Sequence, residues 1–285
     1  MKNLDKQQIY TSAEVMKLLD ISSSTLRNLV EKGLIEKVTR PGYKHGYYTK
    51  DSVDQYYNQR SLFEEKYSLE DDASNNTPKP EKERSTLKVF KIQTLEEMKE
   101  CQDISQELFG VGAGTEKERM RIVEKNSDTY YLLRKGSQAI GYLSIMPLKK
   151  GNLENVLSQT LPVKIDPDQI ETFENGKQLD LYLTAIGIRP GFSAEEKHEY
   201  GSKLVRQLIR LVLELGKKGI EIGTIAARSG MPDGIRLMKH AGFTEIPPLT
   251  PERRTFIINV KESGIPFIMQ HKKYLKEYQA QHPQS

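Results

Sequence analysis

The sequence has a single cysteine, Cys101, in 285 residues, which excludes an internal disulfide framework. Long apolar runs are missing as well. The most apolar helical stretch, LVRQLIRLVLELG, is interrupted by Arg206, Arg210 and Glu214, so no segment qualifies as a membrane span. The opening residues MKNLDKQQIY contain no apolar stretch of the secretory kind, and the expectation is a cytoplasmic protein with no membrane partner. Five histidines scattered beside one cysteine offer no metal-ligand spacing, so no metal site is expected. No repeat of solenoid period occurs. What is present is 36% hydrophobic and 29% charged residues with a net charge of +4, a mild basicity whose placement matters more than its size. A chain of this length suits two domains and a connector.

The connector is legible in composition. Residues 64–86 read EEKYSLEDDASNNTPKPEKERST, acidic and rich in Asn, Ser and Pro with almost nothing to bury, which predicts a flexible tether. As a coil, Asp71 to Ser85 would span roughly 20 Å, so loose coupling of the flanking domains is expected.

Before it, YTSAEVMKLLDISSSTLRNLVEKGLI predicts two short helices. Thr11 or Ser12 caps the first, with Glu14 close behind and Val15, Leu18 and Leu19 on its inner face. Ser23 or Ser24 caps the second, which turns Leu26, Leu29 and Val30 inward and ends at Gly33. Two helices joined by a tight turn form a helix-turn-helix. Ser24, Thr25, Arg27, Asn28 and Lys32 then point outward, types that hydrogen-bond phosphates and base edges. EKVTRPGYKHGYYTKDSVDQYY follows as two extended pieces around a Pro-Gly turn, a wing, with Thr49 capping a third helix.

The stretch from Tyr10 to Tyr57 resembles the winged helix-turn-helix of MerR-type regulators and phage excisionases. That resemblance implies double-stranded DNA as partner, a recognition helix carrying Ser24, Thr25, Arg27 and Asn28, and a wing carrying Arg40, Lys44, His45 and Tyr47. From Arg27 to Arg60 seven Lys or Arg face four acids, the balance that phosphate neutralisation requires. A small three-helix module with a solvated basic face, or a protein-binding adaptor, is the alternative. Val53, Tyr56, Arg60, Phe63 and Tyr67 recur at helical spacing, as a homodimer stripe or as packing back onto the same domain.

From Leu87 the sequence predicts a strand LKVFKI and a helix from Thr94 with Leu95, Met98, Cys101 and Leu108 inward, which makes Cys101 core and not nucleophile. A helix TEKERMRIVEKN comes next, then strands TYYLLRK and AIGYLSIMPL around Gly136. A polar insertion from Lys149 to Gln178 precedes the strand LDLYLTAIGIRP, the helix YGSKLVRQLIRLVLELGKKG, the strand IEIGTIAA and the short helix MPDGIRLMKHAGF. A last strand RTFIINV and a charged terminal helix complete a mixed sheet wrapped by helices.

That order, with IRP closing a central strand, YGSKL opening the main helix and GIRLMKHAGF near the end, resembles the GNAT superfamily of acyl-CoA N-acyltransferases over roughly residues 87–260. The resemblance implies a bulged central strand and a loop (Arg or Gln)-x-x-Gly-x-(Gly or Ala) whose amides receive the pyrophosphate of coenzyme A. Carried onto this chain, the cofactor positions are Ile188, Glu199, Tyr200, Gly201, Ser202 and Lys203. With Gly201 as the last glycine, Glu196 takes the Arg or Gln position and Glu199 the first glycine. A carboxylate there opposes the anion by on the order of 1 kcal/mol or more. The other register, with Gly201 as the first glycine, puts His198 and Lys203 at the flanking positions and breaks helix packing. Met231 stands where an Asn often contacts the cofactor and Met238 where a Tyr often protonates the thiolate, which methionine cannot do.

The expected fold class is therefore α+β multidomain: a small all-α winged helix-turn-helix at 1–63, a linker at 64–86, and a GNAT-like mixed α/β domain with a C-terminal extension at 87–285. The expected function is a DNA-binding transcriptional regulator whose second domain is degenerate for acetyl transfer and serves sensing or assembly. Tyr182, Thr184, Ile186 and Arg189 are expected to line its cleft. No cofactor is required on this reading; acetyl-CoA or another acyl-CoA is the ligand if the cradle is retained, and no catalytic residue is assigned. Two alternatives stand beside it: an acetyl-CoA-dependent N-acyltransferase targeted to DNA, with Tyr200 or water moving protons, and an excisionase-like architectural factor.

Overall fold

The structure, a computed structural model, describes residues 9–31, 33–38, 46–64, 87–110, 114–160 and 163–283, the side chains of 58–64 excepted. Lys32, the wing positions Arg40, Lys44 and His45, and all of the expected linker but Glu64 lie outside the described residues.

The first lobe runs β1 (Ile9–Thr11), α1 (Ser12–Leu19), α2 (Ser23–Glu31), β2 (Lys37–Val38), β3 (Tyr47–Thr49) and α3 (Lys50–Glu64). Thr11 caps α1: its hydroxyl accepts from the Glu14 amide at 3.3 Å while the Glu14 carboxylate accepts from the Thr11 amide at 2.7 Å. The Thr11 amide, and then the Thr11 hydroxyl at 2.8 Å, donate to the Glu14 carboxylate and hold it below its ordinary pKa. The cap of α2 is one residue earlier than the sequence predicts. Ser22 Oγ accepts from the Thr25 amide at 3.2 Å, because the helix starts at Ser23 and the capping oxygen must stand before it. Gly33 closes the turn after α2 with φ of 69°.

Val15, Leu19, Leu26, Leu29, Ile35, Tyr48 and Val53 form this lobe's core, whereas Leu18, expected inward, is 37% exposed. Lys37–Val38 and Tyr47–Thr49 pair as the two extended pieces expected of the wing, and Ile9–Thr11 adds a strand to this otherwise helical lobe, giving a three-stranded antiparallel sheet, order β1-β3-β2. Of the helical stripe on α3, Val53 is buried and Tyr56 packs on this same core, the packing alternative. The Arg60 and Phe63 side chains and Tyr67 lie outside the described residues.

The second lobe is a seven-stranded sheet, order β4-β5-β6-β7-β8-β10-β9. Its elements are β4 (Leu87–Lys91), α4 (Leu95–Phe109), α5 (Glu116–Lys125), β5 (Tyr130–Lys135), β6 (Gln138–Lys149), α6 (Leu153–Leu157), β7 (Gln178–Ile188), α7 (Ala194–Lys217), β8 (Glu221–Ser229), α8 (Pro232–His240), β9 (Thr244–Thr250), β10 (Arg253–Asn259) and α9 (Pro266–Gln281). Thr94 and Thr115 cap α4 and α5 through the same Thr-x-x-Glu box that opens α1. All neighbours pair antiparallel except β7 and β8, which α7 joins as a crossover. One face of the sheet is covered by α7 and α9, the other by α4, α5 and α6.

Three expectations change here. Leu95 is 44% exposed at the start of α4 and not inward, while Met98 and Cys101 are fully buried. Burial pushes the Cys101 thiol up to about 12, consistent with a core residue. The insertion between Lys149 and Gln178 is less polar than its composition suggests: Leu153, Val156, Leu157 and Ile170 are buried, and Ile170 bridges to Leu148. A further strand, β9, contains Pro247 and Pro248, which hide it from a propensity reading; it lies at the sheet edge, where a missing amide is tolerated.

The lobes touch. α3 lies beside α7, α8 and α9, with Gln55 Nε2 donating to the Lys239 carbonyl at 2.6 Å. Leu34 also fills the space over Gly264, where an added Cβ would meet its methyl at 3.1 Å. Loose coupling is expected from the connector, and these contacts depart from that. No helix among the described residues is long and apolar enough to cross a membrane, and no cluster of three or more His, Cys, Asp or Glu is placed there to hold a metal.

Candidate functional site

The outward face of α2 follows from its inward one. Leu26 and Leu29 are buried, which turns Ser24, Thr25, Arg27 and Asn28 to solvent. Ser22 Oγ bonds the hydroxyls of Ser24 at 2.8 Å and Thr25 at 2.9 Å, so the first turn presents a cluster of hydroxyls. It contains no acid, and its positive end stays open to an anion. Tyr47 stands at the start of β3, half-buried, at the base of the wing.

The second region lies where β7 and β8 part. Their pairing runs from Gln178↔Glu221 to Leu183↔Ala227; β7 then continues to Ile188 against β6 alone. A bulge falls at Thr184, since Ser144 pairs Ala185 while Ile145 pairs Leu183. The Thr184 hydroxyl bonds the Ser144 hydroxyl at 2.7 Å and its carbonyl at 3.1 Å, which pins the bulge. The bulge expected of the central strand is thus present. The four expected cleft residues are not brought together. Tyr182 belongs to the face under α4–α6, and Thr184 bonds Ser144 on β6. Ile186 packs on the α7 face. Arg189 pairs with Glu107 and donates from Nε to the Ala139 carbonyl at 2.9 Å, so it ties β7 to α4 and β6.

The third region is the N-terminus of α7, and it is built differently from the sequence expectation. The helix starts at Ala194, capped by Ser193, whose hydroxyl accepts from the Glu196 amide at 3.2 Å. Glu196 returns the bond to the Ser193 amide at 3.0 Å. Tyr200, Gly201, Ser202 and Lys203 therefore lie in the second and third turns, where amides are taken by carbonyls one turn back and are not free to cradle an anion. Glu199 is exposed on the same helix, and Ser202 Oγ bonds the His198 carbonyl at 2.8 Å. Gly201 meets no atom within 4 Å of an added Cβ, so no close approach requires a glycine there. Ile188 ends β7 against Gly141 and is separated from α7 by the loop 189–193.

The amides that do open α7 are served from within. The Glu196 carboxylate also accepts from the Tyr200 hydroxyl at 3.1 Å and sits 3.5 Å from Lys135 Nζ, while Lys135 donates to Tyr200 at 2.7 Å. The Ser193 amide, then the Tyr200 hydroxyl, hold the Glu196 carboxyl below its ordinary pKa; the Tyr200 hydroxyl chiefly raises that of Lys135. Phe192 braces Tyr200 edge-on at 5.2 Å. A diphosphate placed on these amides would meet Glu195 and Glu196 in the first turn, and the residues present do not fit one. Met231 is 55% exposed ahead of α8 and Met238 is buried in the core, so neither position offers a proton.

Sequence reasoning missed Arg228 near the end of β8. It is 6% exposed, and only the tertiary fold reveals its surroundings.

Against known proteins, a helix-turn-helix domain family matches residues 9–61. Among solved structures, the chain is similar to the loading GNATL domain of CurA from Lyngbya majuscula at 11% identity, covering 62% of this chain and 100% of that one with a TM-score of 0.45. It is similar also to the PaiA N-acetyltransferase from Thermoplasma acidophilum in complex with coenzyme A, at 11% identity over 61% of this chain and 99% of that one, TM-score 0.41. No curated protein matches the chain at a significant level. The chain thus joins a helix-turn-helix domain at residues 9–61 to a mixed seven-stranded sheet.

Proposed function

We propose that this protein is a DNA-binding transcriptional regulator in which the first lobe grips double-stranded DNA and the GNAT-like lobe serves sensing or assembly without efficient acetyl transfer. The observation that carries the second half is the α7 N-terminus, where Glu196 takes the place an incoming phosphate would need. The first half is supported by the helix-turn-helix match and by Arg27 and Asn28 standing exposed on α2. In this reading α2 enters the major groove and the wing reaches the neighbouring backbone. Residues 1–63 form the DNA-binding unit, 64–86 the tether and 87–285 the sensing unit.

The test is duplex binding by the full chain across a salt series, beside calorimetry with acetyl-CoA at millimolar concentration. Salt-dependent duplex binding with no heat from acetyl-CoA supports the reading. One observation favours a second reading, an acyl-CoA N-acyltransferase delivered to DNA: the bulge at Thr184 and the opening beyond Leu183 and Ala227 are retained. Thiol release from acetyl-CoA on mixed amine substrates would select it.

A further inference from the structure

Arg228 stands one residue beyond the last β7–β8 pair, on the side of the sheet roofed by α6. Its Nη1 donates to the carbonyls of Leu157 and Gln159, both at 2.8 Å, and to the Thr250 hydroxyl at 3.4 Å. Its Nε donates to the Tyr182 hydroxyl at 3.3 Å. Nη2 is buried and has no partner. Directly across the β8–β10 pair, Thr255 is fully buried and its hydroxyl has no partner either. No carboxylate among the described residues pairs with Arg228.

This is an unusual balance of groups. A guanidinium carries donors only, and burying one without a counter-charge is costly. Holding one carbonyl at the end of α6 and one just after it uses Nη1 and leaves the charge uncompensated and Nη2 idle. The hydroxyls of Tyr182 and Thr250 accept from Arg228, which leaves their own protons to donate. Beside the positive charge stand the Tyr182 hydroxyl on Nε, the Thr250 hydroxyl on Nη1 and, on the facing residue of β10, the Thr255 hydroxyl, and Nη2 and Thr255 have no acceptor. A compact oxyanion supplies what is absent, since it accepts from Nη2 and the Thr255 hydroxyl and cancels the charge. With one cation to match, the anion is a monoanion.

We propose that Arg228, Thr255, Tyr182 and Thr250 form a buried site for the carboxylate of a small molecule, at the point where β7 and β8 diverge. It deepens the sensing reading above and rests on that reading only for what the binding is used for. The carboxylate bridges Nη2 and the Thr255 hydroxyl, and binding draws the segment after α6 against β8 through the Arg228 contacts to Leu157 and Gln159.

The test uses the full-length protein with sodium acetate as probe, sodium chloride at equal ionic strength as reference and sodium phosphate as a second arm. The unfolding midpoint of the wild type rises with acetate above the chloride reference. Arg228→Lys keeps the charge but loses the fork and responds to acetate about tenfold more weakly. Thr255→Val, neutral and nearly isosteric, weakens the response about threefold and carries the test if Arg228→Lys fails to fold. Both variants retain the general salting effect of acetate, so the difference from wild type is the site. Equal responses to acetate and chloride, or an acetate response unchanged in Thr255→Val, would overturn the site. A rise with phosphate alone would overturn the carboxylate assignment. Duplex binding measured on the same samples separates the two readings: a protein that binds acetate and ignores DNA keeps this site and loses the regulatory role.

Discussion

The N-termini of α2 and α7 start from the same chemistry and end opposite. Each is preceded by a serine that caps the first turn, Ser22 and Ser193. In α2 the first turn has no acid, and the exposed positions carry hydroxyls, Arg27 and Asn28. In α7 it holds Glu195 and Glu196, and the Glu196 carboxylate is folded back onto the Ser193 amide with Lys135 and Tyr200 around it. One helix end offers its partial positive charge outward; the other spends it on its own side chain. The two ends differ in their first-turn acids and in the carboxylate that folds back onto the cap.

The contrast can be broken most forcefully by making α2 resemble α7. Ser24→Glu sets a carboxylate against the approaching phosphates, and duplex affinity falls by about a hundredfold at low salt, read by mobility shift. Arg27→Ala removes one contact and costs about 1–3 kcal/mol of duplex binding with an unchanged unfolding midpoint. Either variant binding DNA as wild type does would detach α2 from recognition.

A pH titration sharpens the other side. His271 on α9 is fully buried; its Nδ1 donates to the Val212 carbonyl of α7 at 2.8 Å, and Nε2 has no partner. Burial lowers its pKa, so the neutral ring is the folded form. For a base depressed on folding, the stability is complete above the unfolded value of about 6.5 and is lost as pH falls from there toward the folded value. The unfolding midpoint of the second lobe therefore drops across that window, and His271→Gln flattens the drop. The smallest effect belongs to Glu196→Gln: a charged capping bond becomes a neutral one, and the midpoint of denaturant unfolding falls only slightly. Acetyl-CoA binding restored by this change would mean that the glutamate alone closes α7.

Much of this molecule could be read from capping chemistry. Thr11 with Glu14, Thr94 with Glu97 and Thr115 with Glu118 each mark a helix start that the structure has in the same place. The same signal was present in Ser193-Ala-Glu-Glu, but the glycine of YGSKL drew the expected start of α7 to Tyr200, six residues late. A local bond between cap and third residue outweighed a pattern of residue types. The edge strand β9 was hidden by its prolines, and the buried leucines of α6 by the polar residues between them. Arg228 is out of reach for a different reason: its partners come from β7, β9, the end of α6 and the residues just after it, at sequence distances no periodicity records. The wing positions Arg40, Lys44 and His45 fall outside the described residues.

The seat of α3 against α7, α8 and α9, with Gln55 on the Lys239 carbonyl, fixes the bearing of the helix-turn-helix lobe relative to the larger one. A single copy so attached is lopsided about any duplex that its first lobe holds. On a duplex that keeps this seat, nuclease protection extends farther to one flank than to the other, and turning the recognised sequence end for end reverses the shielded side.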